Sequence, residues 1–193
     1  MSISTETLLE ELSGLTRTHI SKAKDLLLFT ETELNYRKSN DSWSILECIE
    51  HLNRYFKYYN PEIQRRIDNA PEYKLGTEKF KPGFIGNYFA KSMLPKQNFS
   101  KIKTFPSMNP IGSSLNKLVI QNFIIELERF LNLLKTSQKL NLNRIKTNIS
   151  ISKFITLKLG DTFRIVTYHN ERHIQQIERI IENYNSLHAG GHS

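Results

Sequence analysis

The chain has 193 residues, 38% of them hydrophobic and 24% charged, which fits one globular domain with a sizeable core. Its formal net charge of +8 suggests a nucleic-acid partner. The lysines and arginines are scattered, however, and match no helix-turn-helix or aromatic RNA-binding signature, so the sequence disfavours a nucleic-acid partner. Cys48 is the only cysteine, which excludes disulfides within the chain. The sequence shows neither a signal-like amino terminus nor an apolar run of roughly 18 residues, so we expect a cytoplasmic protein that is not membrane-bound.

Two amphipathic helices are predicted in the first third of the chain. Apolar residues recur at helical spacing from Ser4 to about Phe29, and Ser4 or Thr5 can cap the start of this segment. After a polar connection, the same period returns from Trp43 to about Asp68. Pro61 is expected to kink or divide the second helix.

The segment from 70 to 116 lacks a helical period because prolines and glycines interrupt it repeatedly. A structureless loop of this length is uncommon in a compact domain, so we expect a lid with short helical turns. Phe84, Tyr88 and Phe89 are candidates for contact with a ligand. Sealing the outside of the core is an equally good interpretation of these aromatic residues.

The third helix is predicted from about Ser113 to Gln138, with Ser113 or Ser114 as its cap. Residues 140–160 show only brief strand-like alternation, which predicts an extended crossover with little sheet.

The fourth helix is predicted to begin at Gly160, with Asp161 as a cap, and to continue beyond Tyr184. Residues 188–193 are expected to form a frayed tail.

The fourth predicted helix carries two histidines, His169 and His173, at positions i and i+4. This spacing places both imidazoles on one helix face, within the same arc as Val166 and Ile177. Buried imidazoles need partners for their nitrogens, and a shared cation satisfies two neighbours more easily than they satisfy each other. The alternative is a pair of core histidines that bind backbone groups and water.

His51 is a candidate third ligand, although it lies at the margin of the apolar arc of the second predicted helix. Glu47, one turn earlier, is either an orienting partner of an imidazole or, as we favour, a solvated charge. Cys48 is expected to be a buried filler, and Glu171 lies roughly 160° around its helix from the paired histidines. Three histidines from two helices would leave open coordination positions, as reactive metal sites do.

Two motifs resemble those of DinB-like (DinB/YfiT) proteins. The segment 43–52, WSILECIEHL, resembles the W-S-x-x-E-x-x-x-H-L start of that family's second helix, and 169–177, HNERHIQQI, resembles its closing H-x-x-x-H-x-x-Q-I. Relatives often have a Pro-x-x-Gly segment before the last helix, whereas this chain has LKLGD at 157–161 without the proline.

The resemblance implies an all-α fold, namely an up-down-down-up four-helix bundle over 1–187 with a long irregular crossover between its second and third helices. It also implies one divalent metal ion per chain, zinc or nickel, bound by His51, His169 and His173.

The function implied by the resemblance is a metal-dependent hydrolase or thiol S-transferase. In either case the metal would activate water or a low-molecular-weight thiol for attack on a small-molecule substrate. The alternatives are a noncatalytic metal-binding or stress-related interaction protein and, as the third hypothesis, a nucleic-acid-associated protein.

A homodimer is also expected. Consecutive apolar residues at 123–125 and at 180–181 point about 100° apart on a helix, so one residue of each set must face away from a narrow core. Small bundle proteins of the DinB-like family, which the chain resembles, often form dimers.

Overall fold

The computed structural model of the chain describes residues 2–70, 78–95, 104–150 and 152–188. These ranges are mostly helical and contain two small antiparallel sheets, which confirms the predicted helical class at this level. The helices are α1 (Thr5–Leu26), α2 (Glu31–Asn35), α3 (Ile45–Asp68), α4 (Phe84–Met93), α5 (Leu118–Thr136) and α6 (Leu159–His188).

Each sheet has two strands. β1 (Ile3–Ser4) pairs with β2 (Lys79–Phe80), and β3 (Lys146–Ile149) pairs with β4 (Ser152–Lys158). Short 3₁₀ turns lie at Pro106–Met108 and Ser137–Lys139.

The four long helices share one apolar core. α5 packs against α1 and α3, and α6 packs against the same two helices. Phe56 of α3 contacts Phe123 and Phe130 of α5, with ring centroids 5.9 and 5.6 Å apart, and Phe130 contacts Phe163 of α6 at 5.6 Å. Burial of these aromatic rings and of the surrounding apolar side chains provides the main stabilisation of the fold. It also fixes which faces of α3 and α6 lie towards each other.

The structure confirms that Ser4 caps α1, since its hydroxyl accepts a hydrogen bond from the Thr7 amide. α1 ends at Leu26, before the predicted Phe29. Sequence reasoning missed α2, although its Thr30–Glu33 capping box is a recognisable start signal.

The prediction that Pro61 would divide the second helix is wrong, because α3 runs unbroken from Ile45 to Asp68, and the kink offered as the other outcome stays a prediction. Tyr59 and Ile63, on either side of the proline, are both buried. Packing of this continuous apolar face offsets the roughly 3 kcal/mol cost of an interior proline.

The third predicted helix begins later than expected. α5 starts at Leu118, and its first amide donates to the side-chain oxygen of Asn116 at 3.0 Å. The proposed caps Ser113 and Ser114 are therefore wrong.

The expected crossover over 140–160 contains more sheet than predicted. β3 and β4 form a hairpin with an irregular register between Asn148 and Ile149. Ile149 is buried, so its apolar side chain faces the body of the protein. This hairpin leads directly into α6, and the expected strand residue Ile151 lies outside the described residues.

Asp161 is not the cap of the last helix, because α6 already begins at Leu159. The buried carboxylate instead accepts a hydrogen bond from the Gly83 amide at 2.8 Å and pairs with Arg164 at 3.2 Å. Asp161 thereby ties the start of α4 to α6, and a Cβ at Gly86 would overlap its carboxylate.

The carboxyl-terminal tail predicted over 188–193 lies outside the described residues except for His188, which ends α6. No helix in the described ranges is long and apolar enough to cross a membrane.

Candidate metal centre

Three imidazoles meet where α3 faces α6. The Nε2 atom of His169 lies 3.2 Å from Nε2 of His51 and 3.1 Å from Nε2 of His173. His51 and His173 are buried, whereas His169 is partly exposed. The structure thus brings together all three histidines proposed from the sequence, and it places His51 inside rather than at the edge of the core.

The outer nitrogens of two imidazoles are occupied by oxygen acceptors. His51 Nδ1 lies 2.7 Å from the backbone carbonyl of Met108, and His173 Nδ1 lies 3.0 Å from Oε1 of Gln176. A carbonyl oxygen can only accept, so Nδ1 of His51 carries the proton. This contact leaves the Nε2 lone pair of a neutral His51 directed at the other two rings.

Three converging Nε2 atoms cannot satisfy one another when the rings are neutral. His51 and His173 both use Nδ1 as the donor, and the single Nε2 proton of His169 could serve only one of them. At least one lone pair would then remain buried without a donor. One cation between the three nitrogens satisfies every lone pair, so the donor set fits a metal ion.

The surroundings keep the imidazoles neutral. Burial lowers the pKa of His51 to about 4, partly countered by its hydrogen bond to Met108. Burial also lowers the pKa of His169 and of His173 well below the ordinary value, and the neighbouring histidines lower each further. Within the described residues the potential ligand set contains no carboxylate, so the site would leave an ion its full positive charge.

A strap of residues 105–112 fixes the orientation of His51. Trp43 Nε1 donates to the side chain of Asn109 at 3.0 Å, and Arg54 donates to the Asn109 carbonyl at 3.0 Å. Arg54 also donates to the Ser107 carbonyl at 3.3 Å, so Met108, which binds His51, lies between two anchored residues. Because this contact uses a backbone oxygen, no sequence motif could have revealed it.

Glu47 is neither the solvated charge nor the orienting partner expected. It is buried, it completes a capping box with Ser44, and it pairs with Arg37 at 2.6 Å. Its carboxylate also accepts a hydrogen bond from the Gly112 amide at 2.7 Å. Glu47 therefore anchors the far end of the strap.

Two other predictions near the cluster are consistent with the structure. Cys48 is fully buried in the apolar core, where burial raises the pKa of its thiol. Glu171 faces α1, where its carboxylate lies 2.9 Å from Nε2 of His19. His19 is fully buried, and sequence reasoning missed this contact because 152 residues separate the partners.

A pocket adjoins the cluster beneath α4. Phe89 of α4 lines this pocket together with His169. Phe84 and Tyr88, the other two aromatic candidates, are 93% and 68% exposed. Only one of the three aromatic side chains, Phe89, therefore lies in the pocket wall, and the role of the segment 70–116 as a lid stays a prediction.

The fold and the cluster define a helical protein with a trihistidine site between two of its long helices. A family model described as the DinB superfamily matches residues 8–177. The match covers most of the chain, and the chain therefore belongs to the DinB superfamily. No curated protein and no solved structure matches the chain.

Proposed function

We propose that this protein is a metal-dependent enzyme, a hydrolase or a thiol S-transferase, with one divalent ion held by Nε2 of His51, His169 and His173. The observation that carries the proposal is the convergence of three Nε2 atoms, two of which belong to rings, His51 and His173, that use Nδ1 as the donor to an oxygen. Zinc and nickel are the proposed ions because both accept neutral imidazole ligands.

A divalent ion at this position would supply Lewis acidity that lowers the pKa of a water or thiol nucleophile. The protein residues then have three roles. Met108 and Gln176 hold the tautomers of His51 and His173, the strap fixes the His51 ring, and Phe89 with its neighbours limits access of water to His169.

The proposed architecture is a DinB-type bundle of α1, α3, α5 and α6 with up-down-down-up topology. Its support is the family match together with the packing of α5 and α6 against the same two helices. Residues 1–187 are proposed to form one domain, and α4 with the strap would lie in the crossover between the second and third bundle helices.

A noncatalytic metal-binding or stress-related interaction protein is the alternative. The pocket beside His169 favours the enzyme. An ion that only stabilised the fold would not need an adjoining pocket with one of the metal-binding histidines in its wall.

The test incubates zinc-loaded and nickel-loaded protein with a neutral aryl ester, with and without a low-molecular-weight thiol. Ester cleavage without the thiol supports hydrolysis, and consumption of the thiol with formation of a thioester supports transfer. The His51→Ala, His169→Ala, His173→Ala triple variant should lose either activity. Equal turnover by the triple variant and the wild type would contradict the proposal.

The expected homodimer remains a proposal that rests on exposed apolar residues of α5. Phe123 is buried and Ile124 packs partly against the core, whereas Ile125 is 47% exposed. Light scattering at micromolar concentration should give twice the single-chain mass of 22.6 kDa. A single-chain mass would contradict the dimer.

A further inference from the structure

The pocket beside the cluster extends from His169 along α3. The part of α3 in its wall runs from Leu52 to Tyr59, so the pocket reaches roughly 10 Å along this helix. The cavity has a volume of about 70 Å³. This is about half the volume of a roughly 150 Å³ cavity that holds benzene, so the cavity encloses a short acyl chain or part of a single ring, and the rest of a ring would extend towards its open side.

The wall of the pocket is mainly apolar. It is formed by α3, α4, α6, β3 and β4, and each of these elements contributes at least one apolar side chain. These apolar side chains include Leu52, Phe56, Phe89, Met93, Leu157 and Val166.

The polar groups of the wall are uncharged. At one side the Tyr59 and Ser150 hydroxyls lie 3.3 Å apart, and the Ser150 amide donates to the same tyrosine oxygen. Tyr55 and Asn170 lie nearer the cluster, since the Tyr55 ring is 4.6 Å from that of His169 and Asn170 follows His169 on α6. A ligand therefore finds its free polar partners at the cluster end.

The wall contains no lysine, arginine, aspartate or glutamate among the described residues, although the chain carries a net charge of +8. A charged ligand group that entered the metal-free pocket, or that lay in its apolar part away from an ion at the cluster, would lose its hydration without gaining a counterion, which is strongly unfavourable. An uncharged ring or chain would gain from burial against the apolar wall.

We propose that this pocket binds an uncharged aryl or short acyl compound, with its apolar group between Phe89 and Phe56 and its polar end towards His169. The orientation rests on the proposed metal function, because only an ion at the cluster makes that end reactive. The preference for an uncharged ligand depends on the wall alone and is expected in metal-free protein as well.

The test compares three probes of similar shape, namely benzamide, benzoate and benzylammonium, by saturation-transfer NMR and by chemical-shift titration of metal-free protein. Benzamide should bind saturably, and the two charged probes should bind at least about tenfold more weakly, because each would bury an unpaired charge. Comparable affinities for all three probes, or no saturable binding of benzamide, would overturn the inference.

Two adjacent lysine substitutions locate the probe. Met93→Lys places a charge in the wall and should weaken benzamide binding by about tenfold. Leu94→Lys is the matched control, since Leu94 is outside the wall and partly exposed, and it should change the affinity less than about twofold. Equal loss of benzamide affinity in both variants would overturn the assignment of the binding site to this pocket. The three-probe comparison decides the class of ligand even if Met93→Lys does not fold.

Metal content is measured on a zinc-treated portion of each sample. Benzamide binding without metal uptake would contradict the proposed function and leave the uncharged-ligand inference standing. Metal uptake without benzamide binding would contradict the uncharged-ligand inference and leave the proposed function standing.

Discussion

Two buried histidine sites share α6 and are completed in different ways. On the side facing α1, His19 meets a carboxylate, and Nε2 of its ring lies 2.9 Å from Glu171. On the side facing α3, His169 and His173 meet only a third imidazole, His51, at the nitrogens that converge. The protein supplies a carboxylate in the first site, whereas the three imidazoles of the second site could hold a cation.

Neighbouring glutamines serve the two sites separately. Gln175 donates to Oε1 of Glu171 at 2.7 Å, and Gln176 holds Nδ1 of His173 at 3.0 Å. The same helix therefore contributes to a site where a histidine meets a carboxylate, the His19–Glu171 site, and to the trihistidine site, with residues only one position apart. This arrangement allows each site to be changed with the other as its control.

Removal of metal should have the largest effect, and only the trihistidine site should respond. An ion present at about a thousand times its dissociation constant stabilises the folded state by about 4 kcal/mol. Chelation should lower the free energy of unfolding of the wild type by this order, as measured by urea denaturation. The triple histidine variant should show no response, and an equal response in that variant would place the ion elsewhere.

Acid should destabilise metal-free protein in two separate ranges of pH. The pKa of His51 is lowered by burial from 6.5 to about 4, so below 6.5 the unfolded chain binds more protons and the stability falls towards pH 4. The loss is about 1.4 kcal/mol per pH unit for each such group. The pKa of Glu171 is lowered by its hydrogen bond to His19 from 4.5 to about 2, so its contribution is lost only between those values.

Urea denaturation across pH checks this separation. The triple histidine variant should lose the dependence between pH 6.5 and 4 and should keep the dependence below 4.5. A slope unchanged in the upper range would show that the trihistidine cluster does not titrate as proposed.

Glu171→Ala should damage the His19–Glu171 site alone. Removal of the carboxylate leaves the buried His19 ring without this partner, which costs about 1–3 kcal/mol of stability. Metal content should not change. Glu171→Gln keeps an oxygen acceptor and should cost less, and loss of the metal in both variants would show that the two sites are coupled.

The two glutamines provide the finest comparison. Gln176→Ala removes the acceptor that fixes the His173 tautomer and should weaken metal binding by about tenfold, in the range found for outer partners of metal ligands. Gln175→Ala should leave the metal affinity unchanged, because Gln175 contacts Glu171. A competition titration with a chromophoric chelator measures both affinities, and equal loss in the two variants would contradict the separate roles.

Sequence reasoning identified the trihistidine site because two of its residues are local. The i, i+4 spacing of His169 and His173 and the motif around His51 are visible without a structure. The hydrogen bond between His19 and Glu171 was missed because it joins two helices and has no local pattern. The contact of Met108 with His51 uses a backbone carbonyl, which carries no signature in the sequence.

Errors in the fold prediction occurred where long-range packing decides local structure. Asp161 has the chemistry of a helix cap, but Gly83 and Arg164 hold its carboxylate inside the fold. Pro61 should weaken a helix, but the buried face of α3 continues through it. The long apolar periods of α1, α3, α5 and α6 were predicted correctly because the core follows those periods.

Metal content per chain is the most direct test of the central claim. Wild-type protein is dialysed against equimolar zinc and nickel, freed of unbound ions and analysed by plasma mass spectrometry, beside His19→Gln and the His51→Ala, His169→Ala, His173→Ala triple variant. The wild type and His19→Gln should each hold one ion per chain, as a single three-histidine ligand set requires, and the triple variant should hold none. Full occupancy in the triple variant, or none in the wild type, would contradict the claim that these three imidazoles bind the ion.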